Sequence, residues 1–390
     1  MSGAGHSANR VLLVLLIAGM AAALGLAFVT QAPNRLVSGV GVPLRELLHG
    51  GNWALISVPA AVLALAAFLR QSAATHGLVA VAAAALLAAL AWLAGAHAKQ
   101  LSDAAEAAGN SAGRTSFGGG LWVLTVLCWL AAADAVQRLK FGALGRTLAL
   151  GAVLAPVIVM AASGALDALS LFKEYDNRQD VFDAALWRHA QIVGVTLLPT
   201  LLIGVPLGVM AHRHPRFGTP VFALLNVIQT VPSIALFGLL MAPLAALAVA
   251  LPALGIAGIG LAPAVIALAL YSLLPIVQST LTGLREVPAA AVEAATGMGL
   301  TPRQVFWRVQ VPLALPLLLS GLRLTTVQAI GLAVVAALIG AGGLGAIMFQ
   351  GLLSSALDLV LLGVLPVVAM AVGVDALFAV LTQWAQRRQP

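Results

Sequence analysis

Apolar runs long enough to cross a membrane recur along the whole of this chain. Each run holds about 17–25 residues, the length that a helix needs to span the hydrocarbon core of a bilayer. Charged residues make up only 8% of the 390 residues, whereas a soluble domain carries about 25%. The sequence therefore predicts an all-α integral membrane protein. We expect about ten transmembrane helices, at 11–29, 53–69, 77–96, 121–136, 147–166, 192–210, 220–240, 261–281, 313–338 and 359–380.

Two apolar stretches admit a second interpretation. The run at 11–29 follows Arg10 and has the flanks of a signal peptide. The topology works with this run retained, so we predict an uncleaved anchor. Residues 241–260 are rich in Pro, Ala and Gly, and there we predict a partly re-entrant connection.

The basic residues favour a cytoplasmic N-terminus, because Lys and Arg are enriched on the cytoplasmic side of membrane proteins. Loops that alternate from an inside N-terminus place 12 Lys and Arg inside, from Arg10 to Arg388, and 7 outside, including Arg35. The net charge of +7 then follows from topology and from contact with anionic membrane lipid. No nucleic-acid partner is predicted.

The chain divides into two halves of different content. Residues 1–166 hold five predicted spans and no motif that assigns them a function. Residues 167–188 form the most acidic segment and are predicted to be an outer linker. Residues 189–385 hold the other five spans, with a polar loop at 285–312. No internal repeat relates the halves, which indicates that the first was appended to the second.

Motifs of catalytic and metal sites are missing from the sequence. It has no Gly-x-x-x-x-Gly-Lys-Ser/Thr phosphate loop, no His-Glu-x-x-His and no Cys-x-x-Cys. His212 and His214 lie beside Arg213 and Arg216, where a metal or anion site is possible but a cytoplasmic basic cluster is the simpler interpretation. Cys128 lies in an apolar run and is predicted to be a core residue. The chain is therefore predicted to be no enzyme and to bind no metal or cofactor itself.

Ionisable residues inside predicted spans are functional candidates by default, because charge is costly in a membrane. Asp134 lies four residues before Arg138, so these two can pair along one helix. Arg323 lies about ten residues into the ninth span and Asp375 lies in the inner half of the tenth. Their similar depths allow a pair across the bundle. A secondary transporter would be expected to carry more membrane-embedded residues that relay protons or sodium ions than this chain does.

The loop between the eighth and ninth spans has the pattern of two short helices. Pro288 can begin a helix through the Ala-rich run that follows. Gly297 and Gly299 tolerate the conformation that ends helices. Thr301 with Gln304 three residues later is a capping-box pattern, which predicts the start of a second helix. Its apolar residues would form a ridge, at Val305, Phe306 and Val309. The compact two-helix loop as a whole is suited to docking into a partner's groove.

This loop resembles the EAA loop of type I ABC-importer permeases. The resemblance rests on fixed residue types at fixed gaps between two spans, at Glu293, Ala294, Ala295, Gly299, Val309, Val311 and Pro312. It implies that the loop grips a cytoplasmic ATPase dimer, with Phe306 among the coupling residues. It also implies a MetI-like core made by the last five spans, a bacterial inner membrane and a second permease subunit, either a copy of this chain or another protein. ATP would be used by the partner, not by this chain.

Three further segments resemble osmoprotectant permeases of the glycine betaine/choline type. They supply the expected translocation path, at Asn226, Gln229, Thr230, Pro232, Ser233, Tyr271 and Gln278, and an outer turn at Gly340, Gly342, Gly343 and Gly345. From the residues alone, Asn226, Gln229 and Thr230 share one helical face, and Pro232 interrupts the helix and frees a carbonyl. Ordinary packing between helices explains each segment singly. Some members of this branch also carry extra N-terminal spans.

The sequence therefore predicts a permease subunit of an ATP-driven importer that takes up glycine betaine or a related quaternary-ammonium osmolyte by alternating access. The resemblance further implies a separate periplasmic binding protein. The acidic segment 167–188 is predicted to be its docking site, an amphipathic helix on the membrane surface, or both. The alternative for the whole chain is a secondary transporter or channel without an ATPase.

Overall fold

The computed structural model describes residues 8–34, 37, 39–107, 109 and 112–387. Arg35 and Arg388, which entered the charge count, lie outside these residues. The chain separates into two compact units, Met1–Asn177 and Arg178–Pro390. The boundary falls within the acidic segment 167–188, between two helices.

The first unit is a helical bundle with one small sheet. Its apolar core is built mainly from Leu and Ala side chains of the long helices, such as Leu90, Leu93 and Ala132. The alanines, as small residues, let the helix backbones approach closely in a membrane. Its elements are α1 (Arg10–Gly25), β1 (Ala27–Ala32), β2 (Val40–Pro43), α2 (Leu44–Leu47), α3 (Trp53–Ala66), α4 (Ala73–Ala107), β3 (Arg114–Phe117), α5 (Gly119–Arg138), α6 (Ala143–Ala162) and α7 (Ser170–Asp176).

The antiparallel sheet, in the order β2-β1-β3, was not predicted. Thr30 pairs with Gly41 on one side and with Ser116 on the other. The first predicted span was therefore too long: the helix ends at Gly25 and the chain continues as a strand. β-branched and aromatic residues favour strands, but the strand forms here because β2 and β3 pair with it, and Phe28 and Val29 of β1 are fully buried.

The second unit is built around four long helices. They are α8 (Gln179–Arg213), α11 (Leu261–Arg285), α14 (Val311–Ala333) and α16 (Leu357–Arg387). Gly204 and Gly208 of α8 face Ile276 and Thr280 of α11 so closely that a Cβ at either glycine would collide. The remaining helices are α9 (Pro215–Thr230), α10 (Ser233–Ala250), α12 (Ala289–Gly297), α13 (Pro302–Val305) and α15 (Leu344–Leu353).

Among the described residues, 8 helices are long and apolar enough to cross a membrane, and α1, α3 and α15 are shorter apolar helices. The expected number of about ten is thus approximate. The seventh predicted span, 220–240, is wrong, because the helix breaks at Val231 and Pro232 and restarts at Ser233. Proline disfavours helical geometry in the residue before it. The partly re-entrant connection predicted at 241–260 is wrong for 241–250, which belong to α10, whereas 251–260 connect α10 to α11.

Two smaller predictions are confirmed in the first unit. Arg138 Nε donates to Asp134 Oδ2 at 2.8 Å, one turn apart on α5. Cys128 is a free, buried thiol, as expected for a core residue. Neither residue marks a functional site.

Candidate functional site

The loop between α11 and α14 folds as two short helices around a glycine turn. Pro288 caps α12, which ends at Gly297, and Gly299 takes the left-handed conformation at φ +84°. Thr301 N–H donates to Gln304 Oε1 at 2.8 Å, while Gln304 N–H donates to Thr301 Oγ1 at 3.4 Å. This reciprocal pair is the predicted capping box, and it begins α13.

The first helix, the glycine turn and residues 301–304 of this loop all carry exposed side chains or backbone. Glu293, Ala294 and Gly299 are exposed, whereas Ala295 is only 2% exposed and packs inward. Any partner protein on this side would therefore meet the Glu293 face and the turn at Gly299.

The predicted apolar ridge faces the interior of its own chain. Val305 and Phe306 are buried, and Phe306 packs with Leu284 of α11 and Ala314 of α14. The guanidinium of Arg213, at the end of α8, lies 4.7 Å from the centroid of the Phe306 ring. Val309 is half-buried and Pro312 is exposed. Val305 and Phe306 thus pack within their own chain, and the coupling role predicted for Phe306 stays a prediction.

A wide helical turn joins the loop to α14. Residues Phe306–Gln310 form a π-helix, in which Val311 N–H bonds back to the carbonyl of Phe306. A proline ring clashes with the carbonyl four residues earlier in an α-helix, and Pro312 stands in that relation to Arg308. The wider turn relieves this clash. Such π-turns occur often at functional sites.

The polar residues around the α9–α10 break are partly brought together. Gln229 Nε2 donates to the carbonyl of Tyr271 at 2.9 Å. The Tyr271 hydroxyl donates to the carbonyl of Val231, inside the break. Pro232 caps α10, which begins at Ser233. The carbonyl at the break is therefore bonded by α11.

Other predicted path residues do not join this contact. Asn226, Thr230 and Gln278 are exposed, and Thr230 Oγ1 donates to Val227 within its own helix at 2.7 Å. Their place in a translocation path stays a prediction.

The glycine-rich turn between α14 and α15 is held by two residues that the sequence did not single out. Arg188 Nε donates to the carbonyl of Ala341 at 3.0 Å. His189, which is fully buried, donates from Nε2 to the carbonyl of Ile330 at 3.1 Å. Gly340, Gly342 and Gly343 all have positive φ. A Cβ at Gly345 would collide with the carbonyl of Val334.

Arg323 and Asp375 form the ion pair that their depths allowed. Arg323 Nε lies 2.5 Å from Asp375 Oδ1, and its second nitrogen, Nη2, lies 2.7 Å from Oδ2. This two-pronged geometry is the strongest arrangement of Arg and carboxylate. The pair joins the middle of α14 to α16.

Among the described residues, no group of three or more His, Cys, Asp or Glu could hold a metal ion.

Comparison with protein families gives two matches along the chain. Residues 201–388 match the family described as binding-protein-dependent transport system inner membrane component. Residues 9–172 match the family described as ABC transporter permease YehY, N-terminal domain.

Among curated proteins, the osmoprotectant import permease protein OsmW of Salmonella typhimurium is 41% identical over 189 residues, which cover 48% of this chain and 84% of that protein. The choline transport system permease protein OpuBB of Bacillus subtilis is 36% identical, over 50% of this chain and 83% of its own length. A solved structure of the inward-facing MetNI methionine ABC transporter aligns with 53% of this chain and 96% of that chain, at 23% identity and a TM-score of 0.47.

The first family match, at residues 201–388, includes the two-helix loop, and residues 9–172 match a permease-associated family of their own. The chain therefore belongs to the inner membrane components of binding-protein-dependent transport systems: it is an ABC-importer permease subunit of the osmoprotectant branch, not an enzyme, with a MetI-like core and extra N-terminal helices.

Proposed function

We propose that this permease takes up glycine betaine or a related quaternary-ammonium osmolyte by alternating access, powered by ATP hydrolysis in a partner. The observation that carries the proposal is the anchoring of the loop through Phe306. Phe306 packs with Leu284 of α11 and Ala314 of α14 and lies beneath Arg213 of α8. A displacement of the exposed Glu293 face would therefore be transmitted to three core helices through the Phe306 side chain.

The mechanism follows from this connection. Closure of an ATPase dimer moves the loops of two permease subunits, and the attached helices then open the path to the other side. Such coupling requires the partner to make different contacts in the two states. The exposed residues Glu293, Ala294 and Gly299 supply those contacts. The ATP is bound and hydrolysed by the ATPase.

The substrate class comes from the relatives. Their names include choline, carnitine and glycine betaine permeases. A periplasmic binding protein delivers the osmolyte, and the permease dimer holds either two copies of this chain or this chain with a second protein. The termini lie in the cytoplasm, as the distribution of Lys and Arg favours. Residues 189–385 supply the transport core, 1–166 an accessory membrane region and 167–188 the outer connection.

Reconstituted vesicles test this function. The permease with its ATPase and binding protein should accumulate labelled glycine betaine only when ATP is supplied, and omission of the ATPase should abolish uptake. A secondary transporter or channel would instead carry the osmolyte without the ATPase, and that result would contradict the proposal. Unlabelled carnitine, choline and proline betaine as competitors then rank the substrates.

A further inference from the structure

The Arg323–Asp375 pair lies deep within the membrane. Arg323 is 12 residues from Val311, the first residue of α14, and Asp375 is 12 residues from Arg387, the last residue of α16. At a rise of 1.5 Å per residue, each charge lies about 18 Å from that helix end. The hydrocarbon core of a bilayer is about 30 Å thick, so the pair lies in its interior.

The pair is nevertheless open on one side of this chain. The side chains of Arg323 and Asp375 are 41% and 46% exposed, and Ser320, one turn earlier on α14, is exposed as well. Charged residues at this depth face water or protein rather than lipid, because exposure to hydrocarbon is expensive. The open side must therefore meet either a water-filled path or another protein chain.

We propose that Arg323 and Asp375 line the translocation path and there bind a zwitterionic osmolyte, Arg323 through its carboxylate and Asp375 through its quaternary ammonium. This inference rests on the proposed function, because it requires that the chain form an osmolyte path. It adds the residues that contact the substrate and the charge type that they accept.

The need to keep every buried charge paired with an opposite charge favours a zwitterionic substrate. A molecule with one carboxylate and one cation replaces the single Arg323–Asp375 pair with two new ion pairs, so no charge is left without a partner. Choline carries the cation alone. It would occupy Asp375 and leave Arg323 uncompensated inside the membrane, which is unfavourable. The pair therefore selects betaines and carnitine over choline.

Cysteine labelling tests whether this open side is accessible to water. Cys128 is the chain's one cysteine, so Cys128→Ala gives a cysteine-free background in which Ser320→Cys adds one thiol beside the pair. In nanodiscs that hold the permease with its ATPase and binding protein, a charged, water-soluble thiol reagent should modify this residue. Ala329→Cys, at a fully buried position of α14, is the control that should stay unmodified. A Ser320→Cys thiol that stays unmodified with and without ATP would overturn the proposal and indicate a lipid or protein contact.

Protection tests the substrate class. Glycine betaine should slow the modification of Ser320→Cys at least about tenfold more than choline at equal concentration, since loss of a charged partner weakens binding by at least that factor. A structural ion pair would show no such difference, so equal protection by both molecules would overturn the zwitterion assignment.

A double substitution separates binding from assembly. Arg323→Met with Asp375→Leu removes both charges together, which spares assembly because no unpaired charge remains. This variant should assemble with the ATPase and lose at least about tenfold in glycine betaine uptake. Uptake at the wild-type rate would refute the inference. If the double variant does not assemble, the labelling and protection results decide. Absence of ATP-driven uptake in the wild type itself would instead refute the proposed function.

Discussion

The guanidinium of Arg213 lies 4.7 Å from the centroid of the Phe306 ring, which connects the end of α8 to the loop that follows α11. Phe306 is buried on its other side by Leu284 and Ala314. One aromatic ring therefore holds the loop against three helices of the transport core. We propose that force on the loop passes to the membrane helices through this contact.

Removal of the ring should uncouple the loop. Phe306→Ala deletes the shared packing, and large-to-small changes of this kind in cores cost about 3–5 kcal/mol. We expect ATP-driven uptake to fall sharply while basal ATP hydrolysis by the associated ATPase continues. Arg213→Gln, which removes only a cation–π contact worth about 0.5–2 kcal/mol, should have the smaller effect. A Phe306→Ala complex with normal uptake per ATP would show that force travels elsewhere.

The Tyr271 hydroxyl should stabilise the break between α9 and α10. It donates to the carbonyl of Val231, and an unpaired buried carbonyl costs about 1–3 kcal/mol. Tyr271→Phe keeps the ring and loses only this bond, so we expect a lower midpoint of thermal unfolding in detergent. Thr230→Val is a matched control, because its hydroxyl bonds only within its own helix. Equal midpoints for Tyr271→Phe and the wild type would mean that water or lipid headgroups satisfy the carbonyl.

The glycine turn before α15 should not tolerate a side chain at Gly343. Its φ is +81°, and a Cβ there would lie 3.3 Å from His189 Nδ1. With ψ at −174°, this backbone conformation is one that essentially only glycine adopts, and it costs an L-residue roughly 1–3 kcal/mol. Gly343→Ala should therefore lower the thermal midpoint and the yield of folded permease.

Gly194→Ala is the paired control for that substitution. Gly194 lies in α8, where an added Cβ would meet no other atom within 4 Å, and alanine favours helix over glycine. This change should be neutral or slightly stabilising. Equal destabilisation by both substitutions would point to membrane packing in general rather than to this turn.

The parts of the fold that follow from local chemistry were predictable. The capping box at Thr301 and Gln304 and the left-handed turn at Gly299 each depend on a few neighbouring residues. The pairing of Arg323 with Asp375 was one possibility that the sequence allowed, since charges inside a membrane need partners, and the structure shows that pair.

The parts that depend on distant contacts were not predictable. The strand at Ala27–Ala32 exists only because residues from 40–43 and 114–117 pair with it. The burial of Phe306 depends on Leu284 and Ala314 in other helices, and no periodicity within the loop reveals it. Arg188 and His189 looked like ordinary residues at the start of a span, since their partners, Ala341 and Ile330, are more than a hundred residues away.

We propose that the exposed face of α12 couples this permease to an ATPase. Charge reversal at Glu293 tests it most directly, because Glu293 is exposed and its substitution leaves the buried face of the loop intact. Glu286→Lys is the matched control, with the same charge change at an exposed residue just before α12. The measurement is ATP-driven uptake of glycine betaine in vesicles. Glu293→Lys should lose uptake while Glu286→Lys keeps it; normal uptake by Glu293→Lys would show that this face does not couple the permease to an ATPase.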